Sequence, residues 1–474
     1  MGSEWKEFTL EEIASKEKSA LATGPFGSAI SSKFFQEDGV PVIRGGNLSA
    51  DTSNRMSDEG LVFVSEDKAI EFKRSVVKAG DLIFTCWGTI NQVGLLDESR
   101  KFEQYIISNK QMKVTLDSNK ADPLFVYYVF SSPKKQSEIL KNGIGAAVPG
   151  FNLGQLREHK LWLPSVSEQQ KISSFLDCFD KKISLNGQIN QTLEQMAQTL
   201  FKSWFVDFDP VIDNALDADN PIPEVFETRV ERRKAVRESA DFKPLPDNVR
   251  QLFPREFEES ELSWVPKGWV TVSLSEITTE LRRGISPKYV EEGGVRVINQ
   301  KCIRHHDINF DLCRRNNPEL RKIAGREIEV GDVLVNSTGV GTLGRVAQVT
   351  QLEEVTVVDS HVTVVRSNGE KCLKYTFGQL MLSNEKRIEA LGEGSTGQTE
   401  LSRKILSEQK VVLPPKHISQ VIEPMFSSYA DKRVALNRDI NILTKLRDTL
   451  LPKLISGELR LDSPEVEQAK ALVE

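Results

Sequence analysis

The stretch Trp5-Lys6-Glu7-Phe8-Thr9-Leu10-Glu11-Glu12-Ile13 returns 264 residues later as Trp269-Val270-Thr271-Val272-Ser273-Leu274-Ser275-Glu276-Ile277. Further pairs follow in the same order. Gly39-Val40-Pro41-Val42-Ile43-Arg44 matches Gly294-Val295-Arg296-Val297-Ile298-Asn299. Val77-Lys78-Ala79-Gly80-Asp81-Leu82-Ile83-Phe84 matches Ile328-Glu329-Val330-Gly331-Asp332-Val333-Leu334-Val335. Leu161-Trp162-Leu163-Pro164 matches Val411-Val412-Leu413-Pro414, and Asp180-Lys181-Lys182-Ile183-Ser184-Leu185-Asn186 matches Asp431-Lys432-Arg433-Val434-Ala435-Leu436-Asn437. Chance could supply one such pair, but not all of them in register. A period this long is no solenoid unit. The chain is one architecture written twice.

Each copy has two textures. The first part carries short β-branched runs (Val40–Ile43, Asp81–Thr85 and Gln111–Thr115; Val295–Ile298, Asp332–Asn336 and His361–Val365) between Gly, Asn and Asp, the pattern of strands and turns. Helical stretches, Pro123–Lys141 and Lys374–Leu391, interrupt them. After each Leu-Pro a long helix is expected, from about Ser167 to Val206 and from about His417 to Ile455. The first has Ile172, Leu176, Phe179, Ile183, Leu193, Ala197, Leu200 and Trp204 at near 3–4 spacing; the second has Ile418, Ile422, Phe426, Tyr429, Ile440, Leu443, Leu450 and Leu454. At 1.5 Å per residue each helix is roughly 60 Å long. A helix of that length with one apolar stripe needs a partner along it, and the other copy's helix is the simplest one, as a coiled coil. Asn186 and Asn437 occupy matching places near the stripe, where a polar residue can fix register; facing solvent is the bland alternative.

Residues 207–268 hold 7 of the 20 prolines, with 15 Asp+Glu against 9 Lys+Arg, and read as an irregular connector. Within it Glu224–Ser239 could form an amphipathic helix carrying the basic run Arg229-Val230-Glu231-Arg232-Arg233-Lys234, either a phosphate or partner contact or a solvated face. That connector's balance of −6 equals the whole chain's, so the remainder is neutral and residues 281–330 are locally basic, with 11 Lys+Arg against 7 Asp+Glu. Net charge therefore does not exclude a nucleic acid. An apolar fraction of 39% and a charged fraction of 27% describe a soluble globular chain. No stretch approaches 18 consecutive apolar residues, so no membrane span is expected, and Met1–Lys6 lacks signal-peptide character. The five scattered cysteines suggest no disulfide framework, and the cytoplasm is the expected compartment.

These features together resemble the specificity (S) subunit of type I restriction-modification systems. The resemblance rests on Val265-Pro266-Lys267-Gly268-Trp269 and on the Gly-Asp-Leu/Val strand of each copy. It rests also on Leu-Pro followed by Glu168-Gln169-Gln170-Lys171-Ile172, on the helix end Leu193–Phe208, and on Leu450-Leu451-Pro452-Lys453-Leu454-Ile455-Ser456-Gly457-Glu458-Leu459. His417-Ile418-Ser419-Gln420 departs from the pattern of Ser167-Glu168-Gln169-Gln170. The resemblance implies a mixed α/β fold: two pseudo-symmetric target-recognition domains with β-rich cores, joined by two long antiparallel helices in a coiled coil. The implied division is 1–165 for the first recognition domain, 166–206 for the central helix and 207–268 for the connector. It continues with 269–415 for the second recognition domain, 416–458 for the pairing helix and 459–474 for a tail.

The resemblance also implies a non-catalytic chain that binds double-stranded DNA, two modification (methyltransferase) subunits and restriction (translocase/nuclease) subunits. S-adenosylmethionine, ATP and Mg would sit on those partners, with no cofactor on this chain. The sequence agrees. It has neither Asn-Pro-Pro-aromatic nor Asp-Pro-Pro-aromatic, the adenine-methylation motifs, and no P-loop. Gly339-Val340-Gly341-Thr342-Leu343-Gly344 matches G-x-G-x-x-G, but the β-like Arg345–Thr350 follows where a helix should, so a tight hairpin is expected. Cys302, His305, His306 and Cys313 lack paired zinc-ligand spacing and an equivalent in the first copy. Glu66-Asp67-Lys68 and Glu408-Gln409-Lys410 are too short to signify a nuclease, and Ser28, Ser108 and Ser360 show no identifiable triad.

Reading DNA needs Arg or Lys for guanine, Asn or Gln for adenine and apolar groups for thymine, with cations on the phosphates. Candidates beside the first copy's strands are Lys33, Arg44, Asn47, Lys73, Arg74, Thr85, Trp87, Asn91 and Gln92. In the second they are Arg282, Arg283, Lys288, Asn299, Gln300, Lys301, Arg304, His305, Arg314, Arg315, Asn336 and Thr338. The arginines 282, 283, 304 and 315 are singled out by their density. The two sets differ, so each domain is expected to read a different motif, giving an asymmetric bipartite site with the helix pair as the ruler between half-sites. The alternative is a non-catalytic protein–protein adaptor that uses the paired helices as a scaffold.

Overall fold

The computed structural model describes residues 5–98, 100–143, 150–392 and 400–473. It separates into two compact units, Met1–Gln188 with Asn437–Glu474, and Ile189–Leu436.

In the first unit the strands are β1 (Lys6–Thr9), β2 (Leu21–Thr23), β3 (Val40–Ile43), β4 (Val62–Val64), β5 (Val76–Val77), β6 (Leu82–Thr85), β7 (Val93–Leu95), β8 (Tyr105–Ile107), β9 (Gln111–Val114) and β10 (Lys160–Leu163). They form an antiparallel sheet β2-β9-β6-β7, a mixed sheet β4-β3-β8-β5 in which β3 and β8 run parallel, and the pair β1·β10. The expected helix Pro123–Lys141 is two helices, Pro123–Ser131 and Pro133–Asn142. Pro133 cannot donate to the preceding turn, and the Ser132 side chain caps the second helix. Phe84, Met112 and Val114 of the sheet pack with Phe125, Tyr128 and Phe130 of the first of these helices.

The second unit contains β11 (Phe257–Glu259), β12 (Trp264–Pro266), β13 (Val270–Ser273), β14 (Thr278–Arg283), β15 (Tyr289–Val290), β16 (Val295–Ile298), β17 (Ile303–Arg304), β18 (Asp307–Ile308), β19 (Arg314–Asn316), β20 (Val333–Asn336), β21 (Val346–Gln348), β22 (Thr356–Val358), β23 (Val362–Ser367) and β24 (Lys410–Leu413). Sheet β14-β23-β20-β21 repeats the first unit's antiparallel sheet, β16 and β22 repeat its parallel pair, and β13·β24 repeats β1·β10. The edges differ: β5 extends the sheet beside β8, whereas β15 extends it beside β19. Gly339, Gly341 and Gly344 all take positive φ in the β20–β21 turn, and a strand rather than a nucleotide-binding helix follows.

The first long helix spans Val166–Phe201 and continues as a π-helical turn through Val206; the second spans Lys416–Ile455. They pack antiparallel: Glu194 pairs with Arg433, and Phe201 stacks 6.4 Å from Phe426, so positions rise on one helix as they fall on the other. In the first unit Ile172, Leu176, Phe179 and Ile183 share a core with Leu443, Leu450 and Leu454, and Ile440 packs against it. In the second, Ala197, Phe201 and Trp204 share one with Ile418, Ile422 and Phe426, flanked by Leu200 and Tyr429. Leu193 lines a small cavity beside Phe426. Fully burying such a side chain contributes roughly 1.5–3 kcal/mol. Asn186 is buried rather than in solvent, and Asn437 is half-buried.

The Pro-rich stretch after the first long helix is ordered. Helix Asp209–Asp217 lies against helix Glu227–Arg237, and the basic run meets acids: Arg233 pairs with Asp213, Arg237 with Asp217, and Arg232 with Asp207. Those arginines clamp the two helices together. Trp204, Phe205, Phe208, Phe226 and Trp269 stack around the start of this stretch, which accounts for the aromatic helix end. Among the described residues no helix is long and apolar enough to cross a membrane.

Candidate nucleic-acid interface

In both lobes a Gly-Asp turn sets the strand that leads into the candidate site. Gly80 and Gly331 take φ of 85° and 107°, a region that favours glycine. The buried Asp81 carboxylate accepts from the Lys78 N–H at 3.1 Å and from Lys113 Nζ at 3.0 Å. Asp332 repeats this with the Glu329 N–H at 2.8 Å and with Arg366, whose Nε lies 2.7 Å away. Each carboxylate thus closes its own turn and ties β6 to β9, or β20 to β23. The far ends of β6 and β20 are held in place, and there the candidates stand.

In the first lobe Arg44, Thr85, Trp87 and Gln92 come together in an open cleft of about 560 Å³ with Asn109 and Lys110. Trp87 is 54% exposed, an unusual position for an indole. Its ring lies over Gly150, where a Cβ would sit 2.7 Å from it. Arg44 is exposed and donates to the Gly60 carbonyl at 2.6 Å; Gln92 donates to the Leu48 carbonyl at 3.2 Å. Asn47 has another task. It is buried, accepts from the Arg44 N–H at 3.0 Å and donates to the Ser57 and Glu59 carbonyls, so it shapes the loop that presents Arg44. Asn91 is half-buried in the β6–β7 turn, while Lys33, Lys73 and Arg74 stand exposed on short 3₁₀ turns outside the cleft lining. Sequence reasoning missed Lys110 and Asn109, because a lone Lys in a turn looks like any solvated cation.

The second lobe places different residues on the same scaffold. Arg44 is replaced by Asn299, Thr85 by Asn336, Trp87 by Thr338 and Lys110 by His361. Thr338 Oγ1 lies 3.2 Å from Gln300 Oε1 and 2.7 Å from His361 Nδ1. Asn336 is fully buried and donates to the Gln300 carbonyl at 3.0 Å, and Asn299 accepts from the Lys301 N–H at 2.9 Å. Asp359 accepts from the His361 N–H at 2.9 Å, and burial holds its carboxyl above the usual range. Lys301, Arg304 and His305 are exposed beside this cluster, as is Lys288 on a neighbouring loop.

Three of the four singled-out arginines have partners within the lobe. Arg282 donates to Glu280 at 2.9 Å and to the Glu327 carbonyl; Arg283 donates to the Ser360 and Leu401 carbonyls at 3.1 and 2.8 Å. Arg315 grips Glu354 with both terminal nitrogens, at 2.9 and 2.8 Å. Arg314 lies 3.4 Å over the Tyr289 ring. Their density reflects lobe architecture, and Arg304 is the one of the four at the exposed hairpin. The Cys/His cluster separates too: Cys302 Sγ faces Cys313 Sγ at 3.8 Å, whereas His306 reaches Glu385 at 3.2 Å. Among the described residues no group of three or more His, Cys, Asp or Glu is arranged to hold a metal.

The comparisons with known proteins agree with this architecture. A family model described as the type I restriction modification DNA specificity domain matches residues 2–195 and 266–445, once in each copy of the repeat. The type I restriction enzyme HindI specificity subunit of Haemophilus influenzae is 25% identical over 415 residues, covering 81% of this chain and 88% of that protein. The type I restriction enzyme MjaIX specificity subunit of Methanocaldococcus jannaschii is 24% identical over 435 residues, 88% of each chain. The crystal structure of a type I restriction-modification S subunit from M. genitalium superimposes with a TM-score of 0.54 at 15% identity, covering 95% of this chain and 96% of that one.

Proposed function

Because the chain belongs to the family of type I restriction-modification DNA specificity domains, we propose that it is the sequence-reading subunit of such a complex and recognises an asymmetric bipartite DNA site. The observation that carries this is the repeat itself. One strand framework is built twice, and matching positions hold Arg44, Thr85, Trp87 and Lys110 in one lobe but Asn299, Asn336, Thr338 and His361 in the other. An Arg can address guanine O6 and N7, whereas Asn addresses adenine N6 and N7. Two such sets on one scaffold suit two different half-sites. Lys110 and Lys301 supply cations for phosphates.

In this reading the chain carries no reaction of its own. It recruits two modification subunits, which hold S-adenosylmethionine and methylate adenine, and restriction subunits, which use ATP and Mg. Such a complex works in the cytoplasm. Both long helices are continuous with the lobes, so their length is proposed to set the number of unread bases between half-sites. The test is binding to a randomised duplex library, with the chain alone and with modification subunits added. Enrichment of one motif in two parts with a fixed spacer supports the reading. Enrichment of no sequence under either condition, with partner subunits still bound, favours the protein–protein adaptor.

A further inference from the structure

The hairpin β17–β18 turns in two residues, with Arg304 paired to Asp307, and both central residues take positive φ, as in a type I′ turn. Asn-Gly fills such turns because neither residue resists that conformation. Here the pair is His305 and His306, at φ of 51° and 61°. Two histidines in left-handed backbone are strained, and strain of this kind persists where the surroundings hold it.

What holds it is visible around the second imidazole. His306 Nε2 lies 3.2 Å from Glu385 Oε1. On its other side Nδ1 lies 2.8 Å from Gln198 Nε2, which donates to Glu194 Oε1 of the first long helix at 2.7 Å, and Glu194 Oε1 itself is 3.6 Å from the ring. Glu194 also pairs with Arg433 of the second long helix, and Arg433 lies 3.6 Å from Asp307 of the hairpin. Glu385 in turn accepts from the Val346 N–H at 2.7 Å and feels the charge of Arg345. The ring therefore bridges Glu385 on one side and the Gln198–Glu194 pair of the long helix on the other. Next to it Ile303 and Ile308 are buried, anchoring the hairpin base, while Arg304, His305 and Lys301 stand exposed.

We propose that His306 is a positioning residue for DNA reading: it hooks the β17–β18 hairpin to the long helix and so fixes Arg304 and His305 for contact with the half-site read by the second lobe. This rests on the function proposed above and adds which element of that lobe is set, and by what. The hook depends on charge. The carboxylates of Glu194 and then Glu385 beside the ring raise the His306 pKa to about 9. Its contribution is therefore complete below the ordinary histidine range and is lost as pH rises through about 9.

The test uses the full chain bound to its modification subunits and a duplex library randomised at both half-sites. H306G removes the side chain while easing the turn, so its loss is not a folding defect. Expected is a fall of about tenfold in discrimination at one position or more of the second half-site, the size of one mismatched pair, with the first half-site and spacer unchanged. H306N, which tolerates left-handed backbone and can still donate to Glu194, should recover part of it. Wild-type discrimination at the second half-site should decline as pH rises through about 9, while H306G shows no such step. Unchanged discrimination in H306G, or equal loss at both half-sites, overturns the hook. A wild-type complex that selects no bipartite site overturns the function beneath it instead.

Discussion

Asp81 and Lys113 form an ion pair with side chains 0% and 6% exposed, and without Asp81 the Lys113 ammonium would be left with the Val76 carbonyl, 2.8 Å away. Taking away one partner of a buried pair costs about 3–5 kcal/mol, because the other charge stays buried. D81A should therefore lower the thermal midpoint of the full chain far more than R315A, whose ion pair with Glu354 lies nearer the surface. Equal shifts in a thermal melt would contradict this. At the cleft the roles divide differently. W87A should weaken discrimination by about 1–3 kcal/mol and relax the first half-site, whereas K110A should lower affinity evenly across sequences and flatten the salt slope. Competition binding at several salt concentrations separates them, and identical effects of the two variants would remove the distinction. Much of this was illegible in sequence. The Gly-Asp repeat marked a strand, but Lys113 and Arg366 lie 32 and 34 residues from their aspartates, and no local pattern links them. Arginine density in 281–330 likewise could not reveal Glu354, Glu280 or the Leu401 carbonyl as partners.

The elements were more legible than their partners. Apolar spacing predicts both long helices within a few residues, and Ile172, Leu176, Phe179, Ile422, Phe426 and Leu443 all face the packed cores. Period alone could not show that Pro133 splits one helical stretch, or that acids on Asp209–Asp217 would order a segment rich in proline. Charge patterning offered a phosphate, a partner or solvent for Arg232 and Arg233; they meet aspartates of the same chain, brought close by a turn. Asn186 belongs at this scale. It is 7% exposed on the first long helix, and a polar residue at a helix seam limits alternative registers at a cost in stability. N186L should raise the thermal midpoint while broadening spacer preference; a lower midpoint would show that Asn186 stabilises the pair. Inserting four residues after Asn190 nearly preserves the apolar phase, since a turn holds about 3.6 residues. It should lengthen the preferred spacer or abolish binding, with both half-site motifs intact. An altered motif at a fixed spacer would mean that the helices read bases themselves.

At the scale of the whole molecule, a chain of net charge −6 can still meet DNA because its acid excess is concentrated in residues 207–268, where Asp207, Asp213 and Asp217 are paired with arginine. The duplication was plain from sequence, and with it the two-lobe plan. Which loops gather into a cleft was not, since Arg44, Trp87 and Lys110 converge only through the pairing of β3, β6, β8 and β9. The central claim is that each lobe reads its own half-site. The most direct measurement maps every methylated site in cells that carry the complete system, for wild type and for W87A with Q92A in the first lobe. Expected is a two-part motif in wild type; in the variant, one half is relaxed while the other half and the spacer stay as they were. Equal relaxation of both halves, or methylation with no two-part motif in wild type, would contradict it.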